Sequence, residues 1–430
     1  MRTQRYGTFL QEIDRRSLAA RVPVSGSIEV SRRCPLSCVQ CYNCLPMDDG
    51  AARSRELSLA EHRRILDEIA DAGCLWLLYT GGEIFARPDF LDIYTHAKRN
   101  GLLLTLFTNG TLITPRIADH LAQYRPLGVE VTLYGASPTT YERVTGVPGS
   151  YARCLRGIEL LLERKLPLKL KTLGLSLNRH ELGEMRGLAE RLGVSFAFDA
   201  EISPRIDCSP EPLGVRLAPA DVVALDLQDA ERMNEWRRLA ARHSEPGSAG
   251  PMPEQLYDCG AGLLSFAIDP EGMLTLCVIS HRDRYDLRRG SFREGWDRFL
   301  LEVRSRTTTR RTRCLECGLR WMCGSCPATG HLETGDPEGP VEFLCETSHL
   351  RAYALDLPVP PHGDCPCCEG GTAHARLASA LASFRPAGWA ELATDGRRLG
   401  GDIQEESQST RSRAGGLGLC PVSSSKNGCS

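Results

Sequence analysis

The chain has 430 residues, 42% of them hydrophobic, enough to bury a sizeable core and to build two or three domains. A net charge of −2 leaves no basic excess for a bulk polyanion, so nucleic acid is not expected as a partner. The opening MRTQRYGTFLQEIDRR lacks the apolar core of a signal peptide, and no later apolar run is long enough to span a bilayer, so a cytoplasmic protein is expected. The 19 cysteines then point to metal binding or thiol chemistry rather than to disulfides, and their odd number fits complete pairing badly.

An N-terminal extension, residues 1–25, leads into GSIEVS (26–31), which reads as a strand running into RRCPLSCVQCYNC. That loop carries Cys34, Cys38, Cys41 and Cys44. SLAEHRRILDEIADAG (58–73) reads as a helix with Ser58 and Glu61 as a capping box, an apolar stripe of Ile65, Leu66 and Ile69, and Gly73 as its stop. The apolar run CLWLLYT (74–80) reads as a buried parallel strand. Helix 89–100, strand 102–107, helix 114–124, strand 129–134, helix 150–165, strand 168–173, helix 180–192 and strand 195–200 follow.

This alternation predicts an α/β fold with parallel strands over residues 26–205. A partial (β/α)6 TIM-like barrel is expected, with an open doubly wound sheet as the alternative. Either architecture gathers function at the C-terminal ends of the strands. Residues 206–256 read as a linker containing one helix, and 257–350 as a small cysteine-rich domain. Residues 351–430 read as a partly disordered tail ending in QEESQSTRSRAGGLGLCPVSSSKNGCS. The isolated Cys74, Cys154 and Cys208 are expected to pack as small apolar residues.

Cys34, Cys38, Cys41 and Cys44 could form a zinc knuckle. A knuckle does not require the motifs that follow at successive strand ends: Gly81-Gly82-Glu83, then TNG from Thr108, then TLYGASPTTYERVTG from Thr132. With Cys34-x3-Cys38-x2-Cys41, these make residues 26–205 resemble the radical S-adenosylmethionine (SAM) enzymes. The resemblance implies that Cys34, Cys38 and Cys41 hold three irons of a 4Fe–4S cluster and leave the fourth to SAM. One electron then cleaves SAM to a 5′-deoxyadenosyl radical, which abstracts a hydrogen from an unactivated carbon.

By the same resemblance, Gly81 and Gly82 let the backbone approach the methionine part of SAM. Glu83 bears on its ammonium or fixes the turn. Asn109 and Thr132 fall among the SAM contacts. The family often has an aromatic residue before the third cysteine; here Gln40 stands there, and Tyr42 is expected to take part of that role. Cys44 is expected to be a free or structural thiol.

The second cysteine group begins with CGAGLLSFAIDPEGMLTLC, Cys259 to Cys277, and continues with CLECGLRWMCGSC. It is similar to the SPASM extension of radical SAM enzymes, which holds auxiliary iron–sulfur clusters. The gap between Cys323 and Cys326 is one residue shorter than in the commonest version. The resemblance implies two auxiliary 4Fe–4S clusters. One is held by Cys314, Cys317, Cys323 and Cys345. The other is held by Cys259, Cys277 and Cys326, with the fourth ligand unidentified. A zinc ribbon of Cys314, Cys317, Cys323 and Cys326 is the alternative. The five arginines from Arg304 to Arg313 read as a solvated face. Cys365, Cys367 and Cys368 are a redox or metal patch, a further cluster ligand, or an unstructured remnant.

SPASM enzymes mostly modify peptides or proteins, so the resemblance implies an oxidative maturase forming a thioether or carbon–carbon crosslink or oxidising a side chain. Flavodoxin or ferredoxin would be the electron donor. Sulfatase-activating members have Asp directly after the second SPASM cysteine, where this chain has Val278. The 33 residues before Cys34 are too few for a leader-binding domain, which is therefore expected as a separate partner. The alternatives are an oxidase or decarboxylase of a tetrapyrrole-like small molecule and a non-catalytic metal-stabilised binding module.

Overall fold

Six strands form where the apolar runs lie: β1 (Ser25–Glu29), β2 (Trp76–Thr80), β3 (Leu103–Thr108), β4 (Gly128–Thr132), β5 (Leu168–Leu173) and β6 (Ser195–Asp199). The structure is a computed structural model and describes residues 6–43, 45–243 and 255–384. Each strand pairs in parallel with the next, and their order in the sheet is their order in the chain. A doubly wound sheet reverses its strand order at a switch point; this one never does, which is the winding of a barrel segment.

Each strand has two faces because side chains alternate along it. On β5, Leu168 and Leu170 are buried toward the outer helices, while Lys169, Lys171 and Leu173 face the barrel interior. The outer layer is built by the helices Leu59–Asp71, Phe90–Arg99, Pro115–Gln123, Ser150–Glu163 and Leu182–Arg191. The capping box at Ser58 and Glu61 forms in full, and Ile65, Leu66 and Ile69 are buried as the stripe requires. Cys74 and Cys154 pack in the core; Cys208 does not, and sits exposed at a left-handed position with φ 70°.

The second region is not separate from the barrel sheet. Its strand β7 (Ser265–Ile268) adds in parallel to the free edge of β1, followed by antiparallel β8 (Met273–Thr275) and β9 (Tyr285–Asp286), giving nine strands in one sheet. Phe266 of β7 occupies the space over Gly26, where a Cβ would stand 2.2 Å from its ring.

The expected linker is also a packed element. It breaks into two helices, Pro219–Gln228 and Ala230–His243. Asp226, only 1% exposed, accepts from Arg232 (2.8 Å) and from Arg351 (2.9 and 2.8 Å) of the helix Glu342–Ala354. Two elements that look independent in sequence are joined by this buried ion pair.

Of the arginine run, Arg306, Arg310 and Arg311 are exposed, as a solvated face requires. Arg304 is buried, and Arg306, Arg310, Arg311 and Arg313 pair with Asp283, Asp336, Glu316 and Glu342. The tail is ordered further than its composition suggests. Cys365, Cys367 and Cys368 are buried with Leu350, Leu377 and Leu381 in one apolar core, the last two on the helix His374–Phe384. Cys44, Cys420, Cys429 and the polar end of the chain lie outside the described residues. No described helix is long and apolar enough to cross a membrane.

Candidate functional site

β1 ends at Glu29 and the chain turns at once into the loop that carries Cys34, Cys38 and Cys41. Ion pairs fix the base of this loop. Arg33, 4% exposed, reaches Glu56 (2.9 and 3.0 Å), and Arg32 reaches Asp269 beyond β7 (3.2 Å). Cys34 is buried and its Sγ accepts from Asn109 Nδ2 at 3.4 Å; Cys38 and Cys41 are partly open. The three thiols all bear electrostatically on Tyr134, just past β4, whose hydroxyl burial and these sulfurs hold well above the usual tyrosine range.

Gly81 and Gly82 serve the cysteine loop itself. Gly81 has φ 128°, a conformation open to glycine, and a Cβ there would stand 2.2 Å from Ser31 O. A Cβ on Gly82 would stand 2.5 and 2.6 Å from the carbonyl oxygens of Arg32 and Arg33. Their amides bind the same backbone: Gly82 N–H donates to Ser31 O (2.7 Å) and Glu83 N–H to Arg33 O (3.0 Å). The close approach that needs glycine is therefore made by the chain's own thiol loop, a reason distinct from the expected contact with SAM.

Glu83 is tied to the ends of the second and third strands. Its carboxylate accepts from Thr108 Oγ1 (2.8 Å), Asn109 N–H (2.8 Å) and Phe85 N–H (3.2 Å). Burial pushes its pKa up to about 7, against the opposing pull of these donors. Asn109 is locked in turn, with Oδ1 accepting from Thr111 N–H and Oγ1. Glu83 thus positions Asn109, and Asn109 touches Cys34: the second and third strand ends are tied to the first thiol by hydrogen bonds. Tyr42 is held at its hydroxyl by Glu29 Oε1 (2.7 Å), which also accepts from Asn43 Nδ2 (2.7 Å).

Replacing Gly82 by Val should displace the Arg32–Arg33 backbone and with it Cys34. Iron in the anaerobically reconstituted protein should fall by up to about four atoms per chain, measured beside a circular dichroism control. Full iron content in a folded variant would show that the loop tolerates the displacement.

Beyond the thiols lies a cavity of about 600 Å³ inside the barrel. Thr132 of β4, opposite Lys171 of β5 in register, stands in its wall with Gln40, Tyr42 and Tyr134. Lys171 lies 3.4 Å from Glu130, and burial lowers its pKa to about 7. Arg232, Trp236 and Leu239, from the segment read as linker, close one side, and Val278 and Ile279, directly after Cys277, close another. Strand periodicity could have pointed to Tyr134 and Lys171, but nothing local in sequence marks the helix 230–243 as a wall of this cavity.

Burial, then Cys323 and Cys345, push up Cys314 and contribute to the rise at Cys317; Cys326 is pushed up by burial and, among thiols, by Cys259. Cys314, Cys317, Cys323, Cys326 and Cys345 line one pocket. Among the described residues, the only groups of three or more Cys, His, Asp or Glu donors within 4.8 Å of one another are two overlapping sets in the tail. Of the thiols expected to hold clusters, Cys345 is in one of these sets and the Cys34 triad is in neither.

Residues 28–189 match the radical SAM superfamily. The chain is 26% identical over 329 residues to the AdoMet-dependent heme synthase of Methanosarcina barkeri, covering 72% of this chain and 92% of that one. It is 29% identical over 320 residues to the PqqA peptide cyclase of Rhodopseudomonas palustris, covering 71% and 79%. The crystal structure of Streptococcus suis SuiB bound to S-adenosylmethionine superposes with a TM-score of 0.57 at 17% identity, over 80% of this chain and 82% of that one. The thiol loop, strand order and these similarities make residues 28–189 a radical SAM domain and the chain an enzyme; that superfamily implies a 4Fe–4S cluster and SAM.

Proposed function

We propose that this enzyme oxidatively modifies a peptide or protein, forming a thioether or carbon–carbon crosslink or oxidising a side chain. In this reading Cys34, Cys38 and Cys41 hold the SAM-binding cluster. Cys314, Cys317, Cys323 and Cys345 hold one auxiliary 4Fe–4S cluster, and Cys259, Cys277 and Cys326 hold a second. When bound, the first cluster with SAM supplies hydrogen-atom abstraction from an unactivated carbon. Arg232, Trp236, Leu239, Val278 and Ile279 exclude water from the cavity where that carbon would lie.

The charge of this cavity carries the choice of substrate. Glu130, Asp199, Glu201 and Glu235 line it beside Lys169, Lys171 and Arg232; Glu130 lies 3.8 and 3.4 Å from the two lysines, and Arg232 pairs with Asp226. A lining of four carboxyl groups and three cations suits the N–H donors of a peptide backbone better than the several carboxylates of a haem-precursor tetrapyrrole. The heme synthase similarity keeps the tetrapyrrole reading as the second one. A flavodoxin or ferredoxin would donate the electron in the cytoplasm, and a separate leader-binding protein would present the peptide.

Mass spectrometry of candidate precursor peptides after co-expression tests the reading; a loss of two or more hydrogens is expected. The auxiliary thiols are tested in the same reaction. Cys314→Ala with Cys317→Ala should leave 5′-deoxyadenosine release and abolish modified peptide. Unmodified peptides beside turnover of a tetrapyrrole would replace this reading with the second one.

A further inference from the structure

Three thiols and two imidazoles gather where the tail folds back on the helix Glu342–Ala354, away from the barrel mouth. Their spacing is tight, and Cys345 adjoins them with its Sγ 3.7 Å from Cys365 Sγ and 3.6 Å from Cys367 Sγ. His349 Nε2 lies 3.7 Å from Cys365 Sγ and 3.5 Å from Cys368 Sγ, and Cys368 Sγ lies 3.4 Å from His362 Nδ1. All four donor atoms fall within 4.8 Å of one another. A tetrahedral ion with sulfur at about 2.3 Å and nitrogen at about 2.0 Å has S···N edges of about 3.5 Å and S···S edges of about 3.8 Å. The observed distances are such edges.

We propose that His349, His362, Cys365 and Cys368 form a mononuclear zinc site, adjacent to Cys345 and independent of the substrate reading. The orientation of His349 selects this set. Its Nδ1 lies 2.8 Å from Cys345 O and so carries the proton, leaving the Nε2 lone pair toward Cys365 and Cys368. The overlapping set of Cys345, His349, Cys365 and Cys367 is disfavoured because the ring nitrogen nearest Cys345 Sγ, at 3.7 Å, is this protonated Nδ1. Cys367 Sγ lies 3.6 Å and Cys365 Sγ 3.7 Å from Cys345 Sγ, so Cys345 and Cys367 flank the proposed site.

The backbone is shaped for these ligands. Cys365 N–H donates to His362 O (3.2 Å), Gly371 N–H to Cys368 O (2.8 Å) and Ala373 N–H to Pro366 O (2.8 Å), closing a compact Cys-x-x-Cys turn. A Cβ at Gly371 would stand 2.4 Å from Pro366 O, so the turn needs glycine there. His349, Cys365 and Cys368 are 1%, 6% and 3% exposed. Two thiolates and Zn²⁺ sum to zero charge, which suits burial, and binding releases two thiol protons. Four protein ligands leave no open position, so the site is structural: it clamps the tail to the helix that carries Cys345.

The test is zinc and iron analysis of the full-length protein, isolated anaerobically from cells supplied with both metals, with zinc-edge X-ray absorption. About one zinc per chain in a two-sulfur, two-nitrogen shell is expected. Cys365→Ser with Cys368→Ser should remove the zinc and leave the iron unchanged. His362→Ala, at the more open edge of the site, should speed zinc loss to a mild chelator at least tenfold. Wild type without zinc, a four-sulfur shell, or a loss of about four irons in the double variant would each overturn the proposal. If the double variant does not fold, the wild-type absorption shell and the His362→Ala exchange rate decide.

Discussion

Replacing Cys34, Cys38 and Cys41 with alanine together is expected to abolish 5′-deoxyadenosine release in the presence of SAM and dithionite. It should also remove about four irons per chain. The three thiols lie on one loop whose ends are held apart from them, by Arg33 on Glu56 and by Gly82 and Glu83 on the Ser31–Arg33 backbone. Their loss therefore removes ligands without removing the contacts that fold the loop. Chromatography of the nucleoside, iron analysis and circular dichroism are the measurements. Equal nucleoside release by the folded triple variant and the wild type would mean that these thiols do not hold the SAM-cleaving centre. The remaining iron, about eight atoms if both auxiliary clusters load, separates this result from a general failure of reconstitution.

The second large effect is on stability. Asp226→Ala should destabilise the protein by about 3–5 kcal/mol, because it strands one charge of a buried pair. Arg351, whose side chain is 5% exposed, would lose its carboxylate, and Arg232 would lose the same partner. Urea unfolding followed by tryptophan fluorescence would show the shift, since Arg351 also stacks 4.1 Å over Trp236. Asp226→Leu with Arg351→Met should recover part of the loss, since it removes the more buried of the two cations together with the carboxylate and leaves only Arg232 without its partner. A single variant within about 0.5 kcal/mol of wild type, the range of ordinary surface changes, would mean that the pair does not hold the two helices together.

Local pattern was enough for the barrel elements. Parallel strands buried on one face and helices with one apolar stripe leave short-range periodicities, so the segments around Leu104, Val129 and Leu170 could be located without any contact being known. The capping box at Ser58 and Glu61 and the spacing of Cys34, Cys38 and Cys41 are local in the same sense. Glycine at 81 and 82 was legible as a close approach, but what approaches was not: the Ser31–Arg33 backbone lies some fifty residues away in sequence.

What the chain determined by itself was the succession of strands and helices along it, the thiol loop that follows the first strand, and the chemistry those thiols imply. Tertiary structure alone decided which edge of β1 receives β7, that the 219–243 helices wall the cavity instead of linking domains, and that His349 meets Cys365 and Cys368. The reason is physical. Edge pairing, a buried ion pair such as Asp226 with Arg351, and a metal-ligand tetrahedron are contacts between residues far apart in sequence, set by how elements already formed come to lie together. A local pattern carries no record of them.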